Sequence, residues 1–337
     1  MVRFLPVALT LVLLAGNPHA ADLDVLIYGR PIHNTSLPSG SGMTWHADRY
    51  FVVGDDSPYL FTLNRKFAIT GRTLLMNDLS QGNARIAKAI KPDYEAMAIV
   101  VWNGAPWNLI AGSGSVKRTR ESGLLVSTDG KFTTHTQDMA TLYRDFATLA
   151  HFSAGQTVNI EALAVTSTAA YFFNRGNADR NILFEVALSD LMAYMTGQTA
   201  QIADIRLYEA KLPRLNGLEA GFSGADYWPE LDSLVYSASV EGPDNAYNDG
   251  EVLGSFLGLI PLSTLKEGMT LDLSHSAKRL FRKDVAIKSK VESVALRQTG
   301  WRRATAGLVS DNDTGSSEFF DVVLTVPHVT PRNRGLR

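Results

Sequence analysis

The sequence predicts an all-β chain, a five-bladed β-propeller with short helical inserts, and three observations carry that expectation. A segment recurs in which a branched or aromatic residue precedes Glu, a small residue and alternating apolar positions. It reads DYEAMAIV around Glu95, NIEALAV around Glu161, GLEAGFSG around Glu219 and KVESVALR around Glu292, with SGSGMTW as an earlier copy in which Ser41 or Gly42 stands at the Glu position. Each copy is followed by a second β-like run, a polar loop and a third run rich in Leu, Phe, Ile and Val. The copies lie at irregular intervals, which suits blades with insertions better than a compact helical solenoid.

Taken in order, residues 50–53, 107–111, 170–173, 234–237 and 306–309 are the second runs of five units. Residues 138–151 carry Met139, Leu142, Phe146 and Leu149 at helical spacing, so they read as a packed helical insert, and 189–195 read as a second one with Ser189 as its cap. The fifth unit has three runs before it ends near Val326. Residues 23–32 are expected to supply its fourth strand and close the ring. The stretch 241–290 is long enough to hold a sixth blade, which leaves that count open.

The chain has 337 residues, 45% hydrophobic and 20% charged, enough for a large core and too apolar for disorder. No linker rich in Pro, Gly or Ser divides it. Residues 1–20 read as a signal peptide, with Arg3, an apolar run over 4–15 and small residues before Ala21. Residues 21–327 then form a single propeller domain and 328–337 a flexible basic tail. The expected location is periplasmic or secreted, with no transmembrane anchor after cleavage. A net charge of −2 argues against nucleic acid as a partner. Cysteine is absent, which excludes disulfide scaffolds, thiolate zinc sites, iron–sulfur clusters and cysteine nucleophiles.

In a propeller the innermost strand of each blade lines the axis, so repeated Glu residues at strand starts are expected to enter the channel at one end. The second strand runs antiparallel, which returns its terminal loop to the same mouth. Four carboxylates about 8 Å apart at an effective dielectric of about 20 repel by roughly 2 kcal/mol per pair, on the order of 10 kcal/mol in all. A bound cation, protonated carboxyls or Arg and Lys partners must offset this. Calcium suits the first option because it accepts six to eight oxygen ligands. Glu95, Glu161, Glu219 and Glu292 are accordingly the candidate metal ligands, with Glu161 and Glu95 as candidate catalytic groups. A purely structural role, in which each Glu accepts hydrogen bonds from the neighbouring blade, stands beside that reading.

The loops at this mouth supply Asp55, Asp56, Asn174, Arg175, Glu241 and Asp311 as candidate ligand-binding residues, with Asn177, Asp249 and Asp313 nearby in sequence. Arg118 and Arg120 read as charges of a solvated turn. Trp45 and Trp228 are mainly packing residues, placed where they could also stack on a ligand at the mouth. Lipase-type elbow, Walker, dinucleotide and HExxH motifs are absent.

The EA(L/M)A segments, GDDSPYLF, the NRGN turn and KVESVAL resemble an uncharacterised family of bacterial propellers, and more distantly the esterase-like or phytase-like propellers and those named for regulation by a quorum-sensing receptor. The resemblance covers about residues 23–326. It implies an axial acidic cluster, often associated with calcium, at Glu95, Glu161, Glu219 and Glu292, from which Ser41 departs. Two functions follow as expectations. One is an exported propeller that binds a divalent cation and a small anionic ligand or phosphate ester, which as an enzyme would be a metal-dependent phosphoesterase-like hydrolase. The other is a non-catalytic envelope scaffold with a protein partner.

Overall fold

The computed structural model describes residues 22–76, 85–176, 180–242, 251–311 and 315–327. The expected leader 1–20, the tail 328–337, and Asn177, Asp249 and Asp313 lie outside them. Five antiparallel sheets form a ring, so the fold is a five-bladed β-propeller. Blade 1 is Gly40–His46, Arg49–Gly54, Tyr59–Leu63 and Ile69–Leu74. Blade 2 is Tyr94–Trp102, Ala105–Gly112, Ser122–Ser127 and Thr134–Asp138. Blade 3 is Ile160–Val165, Ala169–Asn174, Asn181–Ala187 and Ile205–Lys211. Blade 4 is Gly221–Trp228, Ser233–Glu241, Val252–Pro261 and Lys278–Arg279.

Blade 5 closes the ring as expected. Its strands Lys290–Gln298, Arg303–Asp311 and Ser317–Thr325 are joined by the early strand Asp24–Asn34, which pairs antiparallel with Ser317–Thr325. The sixth unit left open between 241 and 290 does not exist among the described residues. Val252–Pro261 and Lys278–Arg279 belong to blade 4, and Leu271–Asp272 adds a parallel fifth strand to the outer edge of blade 3.

Alternation along the strands gives each blade two apolar faces, and five clusters fill the five gaps between blades. Between blades 5 and 1, Phe67 stacks on Tyr50 at 4.9 Å and on Phe319 at 5.1 Å. Between blades 3 and 4, Phe222 meets Phe173 edge-on at 5.0 Å. The helical inserts are α1 (Ala140–Leu149) and α2 (Leu188–Met195). Met139, Leu142 and Phe146 are buried as the periodicity requires, Leu149 is exposed, and Tyr143 completes the packed face. Its hydroxyl donates to the Gly112 carbonyl at 2.6 Å, which anchors the loop that begins there. Ser189 is not the cap of α2: Ala187 holds that position, and the Ser189 hydroxyl bonds Asp190.

The inner strands approach so closely that some positions admit no side chain. A Cβ at Gly224 would lie 2.6 Å from the Ser293 Cα and 2.8 Å from the Glu292 carbonyl oxygen on the neighbouring blade. Gly224→Ala is therefore expected to cost about 3 kcal/mol by forcing two backbones apart, read as a lower urea midpoint at unchanged slope.

Candidate functional site

Each innermost strand carries a β-bulge at its entry, and the bulges select the side chains that face the axis. The extra residue is Glu95 in blade 2, Glu161 in blade 3 and Glu292 in blade 5, set by the register shifts between Tyr94 and Ala96, Ile160 and Ala162, and Val291 and Ser293. The same shift falls on Ser41 and Gly42 in blade 1 and on Ser223 in blade 4. The axial ring is thus three glutamates and two serines. Glu219 is not part of it. It lies four residues before the bulge, in the hairpin of Arg214–Leu215 with Leu218–Glu219, where it accepts the Leu212 N–H at 3.1 Å and pairs with Arg214 at 2.9 Å. The sequence repeat aligns on LEAG, whereas the strand that enters the axis begins at Gly221.

Because side chains alternate along a strand, the residue two places before each bulge faces the same way, one tier nearer the mouth. That tier is Ser39, Asp93, Asn159, Gly221 and Lys290. Asn159 Nδ2 donates to Glu161 Oε1 at 2.5 Å, and Lys290 Nζ bonds Glu292 Oε1 at 2.8 Å. The Ser41 hydroxyl donates to Glu95. At Gly221 a Cβ would meet the Arg175 Cγ at 2.6 Å, so the glycine makes room for the guanidinium that supplies this blade's charge. Arg175 reaches Glu161 at 3.4 Å and Glu241 at 2.8 Å. The loops after the second strands return to this mouth as expected.

The result is a cavity of about 500 Å³ at one end of the channel, lined by the tier residues of blades 1, 2, 3 and 5 and by Asp55, Ser115, Arg120, Glu241 and Asp311. Lys91 bridges Asp55 and Asp93, the latter at 2.7 Å. Arg120 bonds the other Asp93 oxygen at 2.7 Å, and Ser113 donates to it at 2.5 Å. Arg120 is thus not the solvated turn charge expected of it. Of the other candidates, Asp56 is buried against Arg85 at 2.5 Å and lines an adjoining lobe of about 350 Å³. Asn174 is structural: its Oδ1 accepts the Asn159 N–H at 2.7 Å and its Nδ2 donates to the Arg175 carbonyl at 2.9 Å. Trp45 and Trp228 are not at this mouth but at the opposite ends of their strands. Asp93, Lys91, Asn159, Lys290 and Ser223 escaped sequence reading. Their signal was the alternation on either side of the repeated Glu, with polar residues at i−2.

Burial pushes the Glu95 carboxyl well above the usual range, and Glu161, Asp93, Asp55 and Glu292 push it further. Burial also raises Glu292, to about 8, with Lys290 opposing and Glu161 reinforcing the shift. Burial works against the Glu241 carboxylate too, yet Lys290 and Arg175 together hold it below the ordinary value. Burial disfavours the Lys91 ammonium, but Asp55, Asp93 and Glu95 keep it charged.

Two acceptors at this cavity have no partner, Asp55 Oδ1 and Glu292 Oε2, and Glu292 is only 4% exposed. Asp55, Asp93 and Glu95 each present a carboxylate oxygen within 4.8 Å of the others. An all-oxygen set of this kind fits calcium or magnesium and offers zinc no nitrogen or sulfur.

In structure the chain is similar to other propellers. Glutaminyl cyclase from Myxococcus xanthus matches at 11% identity and a TM-score of 0.47, over 92% of this chain and 100% of that one. The arabinanase Arb43A from Bacillus subtilis matches at 10% and 0.45, over 86% and 95%. Regucalcin from Agrobacterium tumefaciens, described as a calcium-binding protein, matches at 11% and 0.38, over 88% and 95%. No curated protein matches the sequence. The resemblance to an uncharacterised propeller family holds at that level: over residues 36–324 the chain matches, and so belongs to, the family of unknown function DUF6929.

Proposed function

We propose that this propeller binds a divalent cation, calcium first, at the acidic end of its channel and uses it to hold a small anionic ligand. One observation carries the reading. Among the described residues, seven carboxylates line the cavity against the cations Lys88, Lys91, Arg120 and Lys290, with Arg175 behind them. With all seven ionised the excess is two negative charges, the charge of one divalent ion, and in the ion-free cavity the raised carboxyls of Glu95 and Glu292 take up protons in its place. Asp55, Asp93 and Glu95 would hold it, with Lys91 displaced from its two aspartates. That displacement keeps the expected affinity in the weak range of extracellular modules, Kd about 10⁻⁴ to 10⁻³ M. Such an affinity suits an exported protein, as the leader-like segment 1–20 suggests.

A bound calcium ion would supply the charge that polarises a phosphoryl oxygen. Beside it the two candidate catalytic groups have opposite characters. Glu161, fixed by Asn159 and Arg175, is suited to accept a proton from water, while Glu95, driven toward its neutral form in the ion-free cavity, would give up its proton on becoming a ligand to the ion. The scaffold reading draws on a different feature, the exposed Leu26, Tyr28 and Ile32 along the outermost strand of blade 5.

Calcium at 100 times its Kd is expected to stabilise the protein by about 2.7 kcal/mol, seen as a rise in Tm that Asp93→Asn abolishes. An unchanged Tm in 10-fold steps up to saturating calcium would remove the cation from the proposal. Calcium-dependent release of phosphate from a panel of phosphate esters, lost in Glu161→Gln with calcium binding retained, would establish hydrolysis. Binding of the esters without turnover would leave a receptor.

A further inference from the structure

The other end of the channel holds a second cavity, of about 350 Å³, formed where the inner strands leave the axis. Nine of its fourteen lining residues are apolar, including Met43, Trp45, Met97, Ile99 and Val165; Thr44, Tyr227 and Thr299 are polar, and two are charged. Asp226 is one. Its Oδ2 accepts the Leu296 N–H at 2.7 Å and its Oδ1 the Tyr227 N–H at 2.8 Å. No Lys, Arg or His nitrogen among the described residues pairs with it, in contrast to Asp55, Asp93, Glu161, Glu241 and Glu292 at the acidic mouth. Arg297 is the other. Its side chain is 3% exposed, Nη1 donates to the Tyr50 hydroxyl at 2.9 Å and Nη2 to Asp321, and its Nε–H has no partner.

We propose that this cavity is a second binding site, for a small apolar-bodied ammonium compound that carries a carboxylate or carbonyl oxygen, in the simplest case a free α-amino acid such as leucine. The ammonium supplies the counterion that Asp226 lacks, and the oxygen accepts from Arg297 Nε. The aliphatic body meets Met43, Met97, Ile99 and Val165, where the thioethers adapt to its shape. A lone metal ion is a poor occupant, because one carboxylate with both oxygens already hydrogen-bonded offers too few ligands. A simple anion is equally poor, because the Arg297 charge is already met by Asp321 and Asp226 repels it. The volume lies at the lower end of small-ligand pockets, which are about 300–1,000 Å³. Burial without a cationic neighbour also raises the Asp226 carboxyl to about 6, consistent with a missing counterion.

Calorimetric titration of the full-length protein with leucine, 3-methylbutylamine and 4-methylpentanoate tests this without any substitution. Leucine should bind, and each analogue, lacking one charged group, should bind about 10-fold or more weakly, the worth of one charge-assisted hydrogen bond. Asp226→Asn should weaken leucine by a similar factor, and Glu95→Gln should leave it unchanged. No binding of leucine, equal binding of the three compounds, or loss of binding in Glu95→Gln rather than Asp226→Asn would overturn the proposal. Calcium binding at the opposite mouth is read separately, by the calcium-dependent rise in Tm.

Discussion

Arg175→Met should destabilise the protein by about 3–5 kcal/mol, the largest loss expected from any charge-removing substitution at the mouth. The guanidinium is 10% exposed and is shared by Glu161 and Glu241, which lie on different blades. Removing it leaves Glu161 with Asn159 alone, beside Glu95 and Glu292 in the same buried cavity. Methionine keeps much of the side-chain volume, so the loss reports charge rather than packing. Arg175→Met combined with Glu161→Gln should regain a substantial part, because the stranded charge is then gone. Urea denaturation of the three proteins measures this as a double-mutant cycle. A single-variant loss below about 1 kcal/mol, the worth of an exposed ion pair, would mean that water already solvates these carboxylates.

The same arrangement explains what the sequence revealed and what it hid. The repeat around Glu95, Glu161 and Glu292 was legible because it recurs in the same local context, and five blades, with a sixth left open, and the ring closure followed from the runs after it. Glu219 misled because LEAG mimics the motif while the bulge falls four residues later, on Ser223. A bulge is set by strand pairing, which a single copy of a motif does not encode. The offsetting cations were hidden for a related reason. Lys290 and Lys91 are not among the positions that repeat and stand out only once pleating turns Lys290 with Glu292, and Asp93 with Glu95, toward one axis. Arg175 was singled out, but its three-way role depends on Gly221, on the next blade, having no side chain.

Acidification should stabilise this protein where most proteins are indifferent or weakened. Glu292 has a folded-state pKa of about 8 against an ordinary value of 4.5, and Asp226 one of about 6 against 3.8. Between each pair of values the folded chain holds a proton that the unfolded chain has released, so stability falls as pH rises through that window. For Glu292 the window is pH 4.5 to 8, and for Asp226 it is 3.8 to 6. Glu95 is raised as well and acts in the same direction. Glu241, held low by Lys290 and Arg175, acts oppositely, but only at pH values below its ordinary value. Lowering the pH from 8 to about 5.5 should therefore raise stability by a few kcal/mol, because each tenfold difference in proton affinity between the folded and unfolded chain is worth about 1.4 kcal/mol. Glu292→Gln should flatten much of that slope by raising the Tm at pH 8 and leaving it nearly unchanged at pH 5. Calcium should act in the same sense, stabilising strongly at pH 8, where the carboxylates are ionised, and little at pH 5, where protons already neutralise them. A Tm that climbs with pH from 5 to 8 in calcium-free buffer would show instead that Lys91, Lys290 and Arg175 already balance the axis by themselves.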